Sequence, residues 1–239
     1  MIDAVYGLTL RSLLLQKRTI VLVVVALTPV LMALAYALSR SPGDHDHSFY
    51  SDLVQQLFVP TVAALVSLVF GVSAFGDERE DGTILYLAAT PLPRAGLVLT
   101  KVLASWTASM ALLVPSALIA GIVALGSDGG GSLLLWPLVA VALTAFCYCA
   151  VSAWLSLVIR RPVVVGVLYI LLWEGSIATF AASADRFSIA AYGRAIAVEG
   201  VIDVNAPGVS AAVAVIVLGI VSALAVWAAA RRMVRTELP

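Results

Sequence analysis

Six apolar stretches, each near the length a helix needs to cross a bilayer, leave this chain few ways to fold. A hydrocarbon core about 30 Å thick takes roughly 20 helical residues. In lipid every backbone N–H and C=O must also be satisfied, which only helices and closed barrels achieve. The stretches cover about 20–38, 57–75, 97–125, 133–159, 163–173 (reaching toward 182) and 209–230. Composition agrees. The chain is 62% hydrophobic and 12% charged, against about 45–50% and about 25% for soluble domains. The expected fold is therefore all-α: a polytopic membrane protein of six transmembrane helices, one domain over residues 1–239, with no soluble domain.

Charge sets the orientation. With both termini inside, 11 of the 14 basic residues fall on inner segments, and only Arg40, Arg186 and Arg194 lie outside. Lys and Arg favour the cytoplasmic side, so both ends are expected there. Net charge is zero and suggests no nucleic-acid partner. Lys17 and Arg18 ahead of an apolar run, with Ala35-Tyr36-Ala37 further on, have the form of a signal peptide. Such a leader would be unusually long, so a retained span is expected. Residues 1–19 hold an amphipathic segment, with Val5, Tyr6, Leu8 and Leu13 for one side and Arg11 and Gln16 for the other, suited to an interfacial helix. Pro29, Pro60, Pro115 and Pro137 fall within spans or near their ends, where they are expected to bend helices.

Few residues suggest metal or thiol chemistry. Cys147 and Cys149, two apart on a helix, point about 200° apart and cannot share a metal. Buried, unreactive thiols are expected. Asp44-His45-Asp46-His47 offers four adjacent ligand types, but adjacent loop residues rarely converge on one ion, and a solvated outer loop is expected.

Two places carry functional signals. The first is the inner loop at 77–96, within Asp77–Lys101. It opens on five consecutive charges, Asp77 to Asp81, then Gly82-Thr83. An apolar pattern follows at Ile84, Leu85 and Leu87, before Pro91 and Pro93. This reads as a short helix along the membrane face, either a docking surface or a solvated connector. Arg94 and Lys101, seven apart and near one helix face, are expected to anchor the following span at headgroup level. The second is Glu174, at the end of the fifth apolar run. A carboxylate inside a span marks a functional candidate, here in the translocation path or at an outer gate; the alternative is a helix end at Gly175 touching water. The outer segment 174–207 is expected to hold one or two short helices within Phe187 to Val201, with Arg186, Arg194, Glu199 and Asp203 available to pair.

The pattern Glu78-x-Glu80-x-Gly82-Thr83, then Leu87, Pro91, Arg94 and Lys101, resembles the cytoplasmic loop of type 2 ABC transporter permeases. The architecture is similar as well, with an amphipathic segment before span one and a longer outer segment between spans five and six. The resemblance implies a coupling helix between spans two and three on which a separate ATP-binding cassette ATPase docks. Glu78, Glu80, Asp81 and Thr83 would meet that partner, and Ile84, Leu85 and Leu87 would fill its groove. It also implies a second permease chain, identical or related, and outer re-entrant helices. The place implied is a bacterial cell membrane. No G-x-x-x-x-G-K-[ST] loop is present, so ATP and Mg²⁺ are expected on the partner and no cofactor on this chain.

Two other classes compete with an exporter subunit. An intramembrane enzyme lacks support, because H-E-x-x-H and G-x-S-x-G are absent and no histidine lies in a span. Asp77 has no second aspartate in any span to pair with. An ATP-independent channel, carrier or assembly factor would usually place ionisable groups at the midplane, and these spans nearly lack them.

Overall fold

The structure, a computed structural model, describes residues 2–39, 47–80, 94–126, 131–177, 187–199 and 209–235. Among them there is helix and no strand. α1 (Ile2–Leu15) gives way at Gln16 to α2 (Lys17–Ser39). α3 (His47–Leu53) runs through a π-helical stretch, Val54–Ala63, into α4 (Ala64–Glu80). α5 (Arg94–Leu125) and α6 (Gly131–Val158) are the two longest helices. α7 (Pro162–Leu168) is followed by a second π-helical stretch, Tyr169–Ile177. α8 (Ile189–Ala197) and α9 (Ala211–Arg235) complete the bundle. All four prolines expected in spans lie inside helical segments. Pro60, which has no N–H to donate, sits in the π-wound part.

Among the described residues five helices are long and apolar enough to cross a membrane: Lys17–Ser39, Ser48–Gly76, Arg94–Leu125, Leu133–Val158 and Ala211–Met233. The remaining expected span, the fifth in order, appears among the described residues as a shorter apolar helix, Pro162–Glu174, of fewer than 18 residues. At about 1.5 Å per residue that length falls short of the roughly 30 Å core.

The spans divide by what they touch. Within its most apolar window, Ser48–Gly76 is 78% buried inside the protein, whereas Lys17–Ser39 is 22% and Ala211–Met233 28% buried. The outer helices therefore present apolar stripes outward. Ile20, Val24, Leu27 and Leu31 form one on α2, and Ile216, Ile220, Leu224 and Trp227 another on α9. A stripe at this helical spacing that faces away from the core is what lipid or another apolar surface covers.

Inside, small residues let the backbones approach. Among the described residues α4 and α6 share the most extensive helix–helix contact, and Gly71 lies within it. A Cβ there would stand 2.8 Å from Ser152 Cβ, 2.9 Å from the Cys149 carbonyl oxygen and 3.0 Å from Cys149 Cα. Cys147 and Cys149 are buried free thiols, as expected. Polar groups on the α5 side bond to backbone or across helices. Trp106 Nε1 donates to the Ala142 carbonyl at 2.9 Å, Ser109 Oγ donates to the Ser105 carbonyl at 2.9 Å, and Ser116 Oγ donates to the Ala26 carbonyl of α2.

α1 forms a helix where the amphipathic segment was expected, and packs on α5. Tyr6 donates to Thr107 Oγ1 at 2.9 Å. Leu13 is buried, while Val5 and Tyr6 are half-buried. Leu8 departs from the expected apolar side: it is 71% exposed, on the same outward surface as Arg11.

Candidate functional site

Two polar constellations lie at different places in the bundle. The first stands at the base of the 77–96 loop. α4 continues past the expected end of its span into the acidic run, so Glu78 and Glu80 lie on its last turn. Asp81, Thr83, Ile84, Leu85 and Leu87 lie outside the described residues, and with them the expected coupling helix. Arg94 opens α5, half-buried.

Lys101, about two turns further on, is fully buried. Its Nζ donates to the Ala74 carbonyl at 2.8 Å and lies 4.7 Å from the centroid of the Phe75 ring. The sequence reading placed this side chain outward, as an anchor among headgroups. Instead it turns inward and binds α4. A lysine inside a membrane protein is stabilised by facing the bundle and meeting backbone carbonyls, and the aromatic face adds a cation–π attraction. The two helices that carry the loop are thus fastened to each other just behind it.

The second constellation is built around Glu174, which is 3% exposed. Oε2 accepts from the Tyr148 hydroxyl of α6. Oε1 accepts from the backbone N–H of Ile189 at 3.2 Å and of Ala190 at 3.4 Å. The Tyr169 hydroxyl also hydrogen-bonds the carboxyl. Tyr169 and Glu174 are five residues apart, a spacing that an α-helix would splay. The π-helical winding of Tyr169–Ile177, with its i to i+5 register, brings both to one side.

Ile189 and Ala190 are the first residues of α8. Ser188 caps the same end, its Oγ accepting from the Ala191 N–H at 3.1 Å. First-turn N–H groups have no partner within a helix, and negative charge is favoured beside them. One carboxyl therefore joins α6, the 169–177 segment and α8.

α8 is the short helix expected within Phe187 to Val201. It is set into the bundle, packed on α6, α9 and the π-helical stretch 54–63. Gly193 makes this possible, since a Cβ there would lie 2.7 Å from Val59 Cγ1 and closer still to Thr144 Oγ1. Of the residues expected to pair around it, Arg186 and Asp203 lie outside the described residues, and Glu199 is exposed. Beside α8 lies a cavity of about 430 Å³, walled by Leu68, Tyr148, Tyr169, Ile189, Leu218 and Val221. The hydroxyls of Tyr148, Ser152, Tyr169, Ser188 and Tyr192 stand in an otherwise apolar lining, so the space suits an apolar or amphipathic guest.

Of the expected site residues, the structure places Glu174 in a cluster with Tyr148, Tyr169 and the start of α8. These partners were missed from sequence. Only the five-residue Tyr169–Glu174 spacing held a trace of them, and that spacing has meaning only on a π-helix. Among the described residues no group of three or more His, Cys, Asp or Glu could hold a metal. Asp44, His45 and Asp46 lie outside the described residues.

A bundle that is apolar outward and braced inside by buried polar pairs is an integral membrane protein, and its cavity sits among the helices. The chain belongs to the ABC-2 family: the family model described as ABC-2 family transporter protein matches residues 14–174, from the end of α1 to Glu174 itself. It is a membrane permease component of an ABC transporter. Comparison with curated proteins finds no match.

Proposed function

We propose that the chain is one half of the translocation path of an exporter, working as a dimer with a second permease chain and driven by a separate ATPase. The ATPase docks on the 77–96 loop, where Glu78, Glu80, Asp81 and Thr83 meet it and Ile84, Leu85 and Leu87 fill its groove. ATP and Mg²⁺ are held by that partner. Pro162–Ile177 serves as a sixth, short crossing, both termini face the cytoplasm of a bacterial cell, and α1 rests at the membrane surface. Arg94 anchors α5 at headgroup level. The cargo is apolar or amphipathic, in keeping with the cavity beside α8, and the Glu174 brace belongs to the outer gate.

The observation that carries this reading is the Lys101 fastening. A docking loop transmits motion only if the helices behind it move as one body. Lys101 supplies that connection between α5 and α4. Lys101→Met keeps an unbranched side chain over Phe75 and removes the ammonium. In a reconstituted complex with the ATPase, the variant is expected to assemble normally. Its cargo-stimulated ATP hydrolysis falls roughly tenfold, the scale of a coupling free energy of 1–3 kcal/mol. Unchanged stimulation would remove Lys101 from the transmission route.

A further inference from the structure

A second cavity, of about 270 Å³, opens where α2 begins, α4 ends and α6 turns into α7. Arg18, Arg160 and Arg161 line it, together with the hydroxyl-bearing Ser73 and Ser156. All three arginines are exposed. Arg18 Nη1 donates to Ser73 Oγ at 3.0 Å, which holds one guanidinium at the wall. Arg160 and Arg161 occupy the short link between α6 and α7 and line the same cavity. On the same rim Val163 and Val164 are 38% and 53% exposed.

The geometry points to a binding site for the phosphate headgroup of an anionic membrane phospholipid, distinct from the cavity beside α8 and independent of how the chain couples to ATP hydrolysis. Guanidinium groups match phosphate oxygens in paired hydrogen bonds. Three of them around one cleft at the ends of spans lie at the depth where headgroups sit, and basic clefts between spans are a recurring form of lipid recognition. The neighbouring valines distinguish a lipid from free phosphate, because they offer apolar surface to the glycerol backbone and the start of an acyl chain. A soluble anion would gain nothing from them.

The test uses the full chain, purified in a neutral detergent and titrated with phosphatidylglycerol or phosphatidylcholine, with bound lipid counted by native mass spectrometry. One phosphatidylglycerol per chain is expected to be retained well beyond phosphatidylcholine. The double variant Arg160→Gln/Arg161→Gln is expected to weaken it roughly 30-fold, about fivefold for each charge lost near the membrane surface. Arg231→Gln/Arg232→Gln, which removes two charges on α9 outside the cleft, leaves binding unchanged and shows that charge alone is not being read. Circular dichroism of each variant confirms that the helices are intact. Equal retention of the two lipids, no effect of the cleft variant, or full displacement by excess inorganic phosphate would each overturn the assignment. The first is the result for a cleft that serves an acidic stretch of a partner protein. The last is the result for a soluble-anion site.

Discussion

Replacing Glu174 by alanine is expected to release α8 while leaving the rest of the bundle folded. The carboxyl accepts from two tyrosine hydroxyls and two backbone N–H groups, and alanine leaves these donors facing each other in an apolar interior. A buried donor left without a partner costs about 1–3 kcal/mol, and some of these can turn to one another. We therefore expect a net loss on the order of 3 kcal/mol, concentrated at the start of α8. Local opening governs amide exchange, so exchange at Ile189 and Ala190 should accelerate about 100-fold, one decade for each 1.4 kcal/mol. Glu174→Gln keeps an acceptor for the N–H groups and should lie near the native protein. Uniform acceleration over all helices would show instead that Glu174 supports the whole fold.

The second large effect is expected at Gly71. The atoms that crowd a Cβ there are Ser152 Cβ and the backbone of Cys149, and no rotamer change moves any of them. Any side chain must push α4 away from α6 along their shared contact. Overpacking of this kind costs typically 1–3 kcal/mol and sometimes more, and valine, branched at Cβ, belongs at the upper end. Gly71→Val should unfold markedly earlier than the native protein in a thermal melt in detergent. Gly219→Ala is the control. That glycine has nothing within 4 Å of its would-be Cβ, and alanine is the better helix former by about 1 kcal/mol, so its melt should be equal or slightly later. Similar losses at both positions would mean that α4 and α6 do not approach as closely as described.

These two residues also show what could be read from sequence. Hydropathy finds apolar helices because a span must satisfy its own backbone in lipid, so the long spans were legible as runs. Hydropathy does not say which run is central. α4, mostly buried, and α2, mostly exposed, look alike in sequence because lipid and protein interior are both apolar. Gly71 was unreadable for the same reason, since its importance lies in the register of α4 on Cys149 and Ser152. The run expected over 163–173, reaching toward 182, is described only to residue 177, and its apolar helix there is shorter than the long spans.

Lys101 and Glu174 were both singled out as charges at span ends. A charge at a span end has two outcomes, reaching outward to water or turning inward to a partner. The choice depends on groups far along the chain. Lys101 turns inward because Ala74 and Phe75 stand behind it, and Glu174 because Tyr148 and the start of α8 surround it. Neither pairing leaves a local motif. The family, by contrast, was legible from a short charged loop and the arrangement of spans around it.

In the proposed function this permease works through a separate ATPase docked on the 77–96 loop. It is tested most directly by placing a photo-crosslinking residue at position 84, in place of Ile84, in cells that express the whole transporter. A crosslink is expected to one chain that carries a phosphate-binding loop and hydrolyses ATP, lost when Glu78 and Glu80 are both replaced by alanine. Crosslinks from position 84 only to lipid or to other copies of this chain, with the ATPase absent, would contradict it.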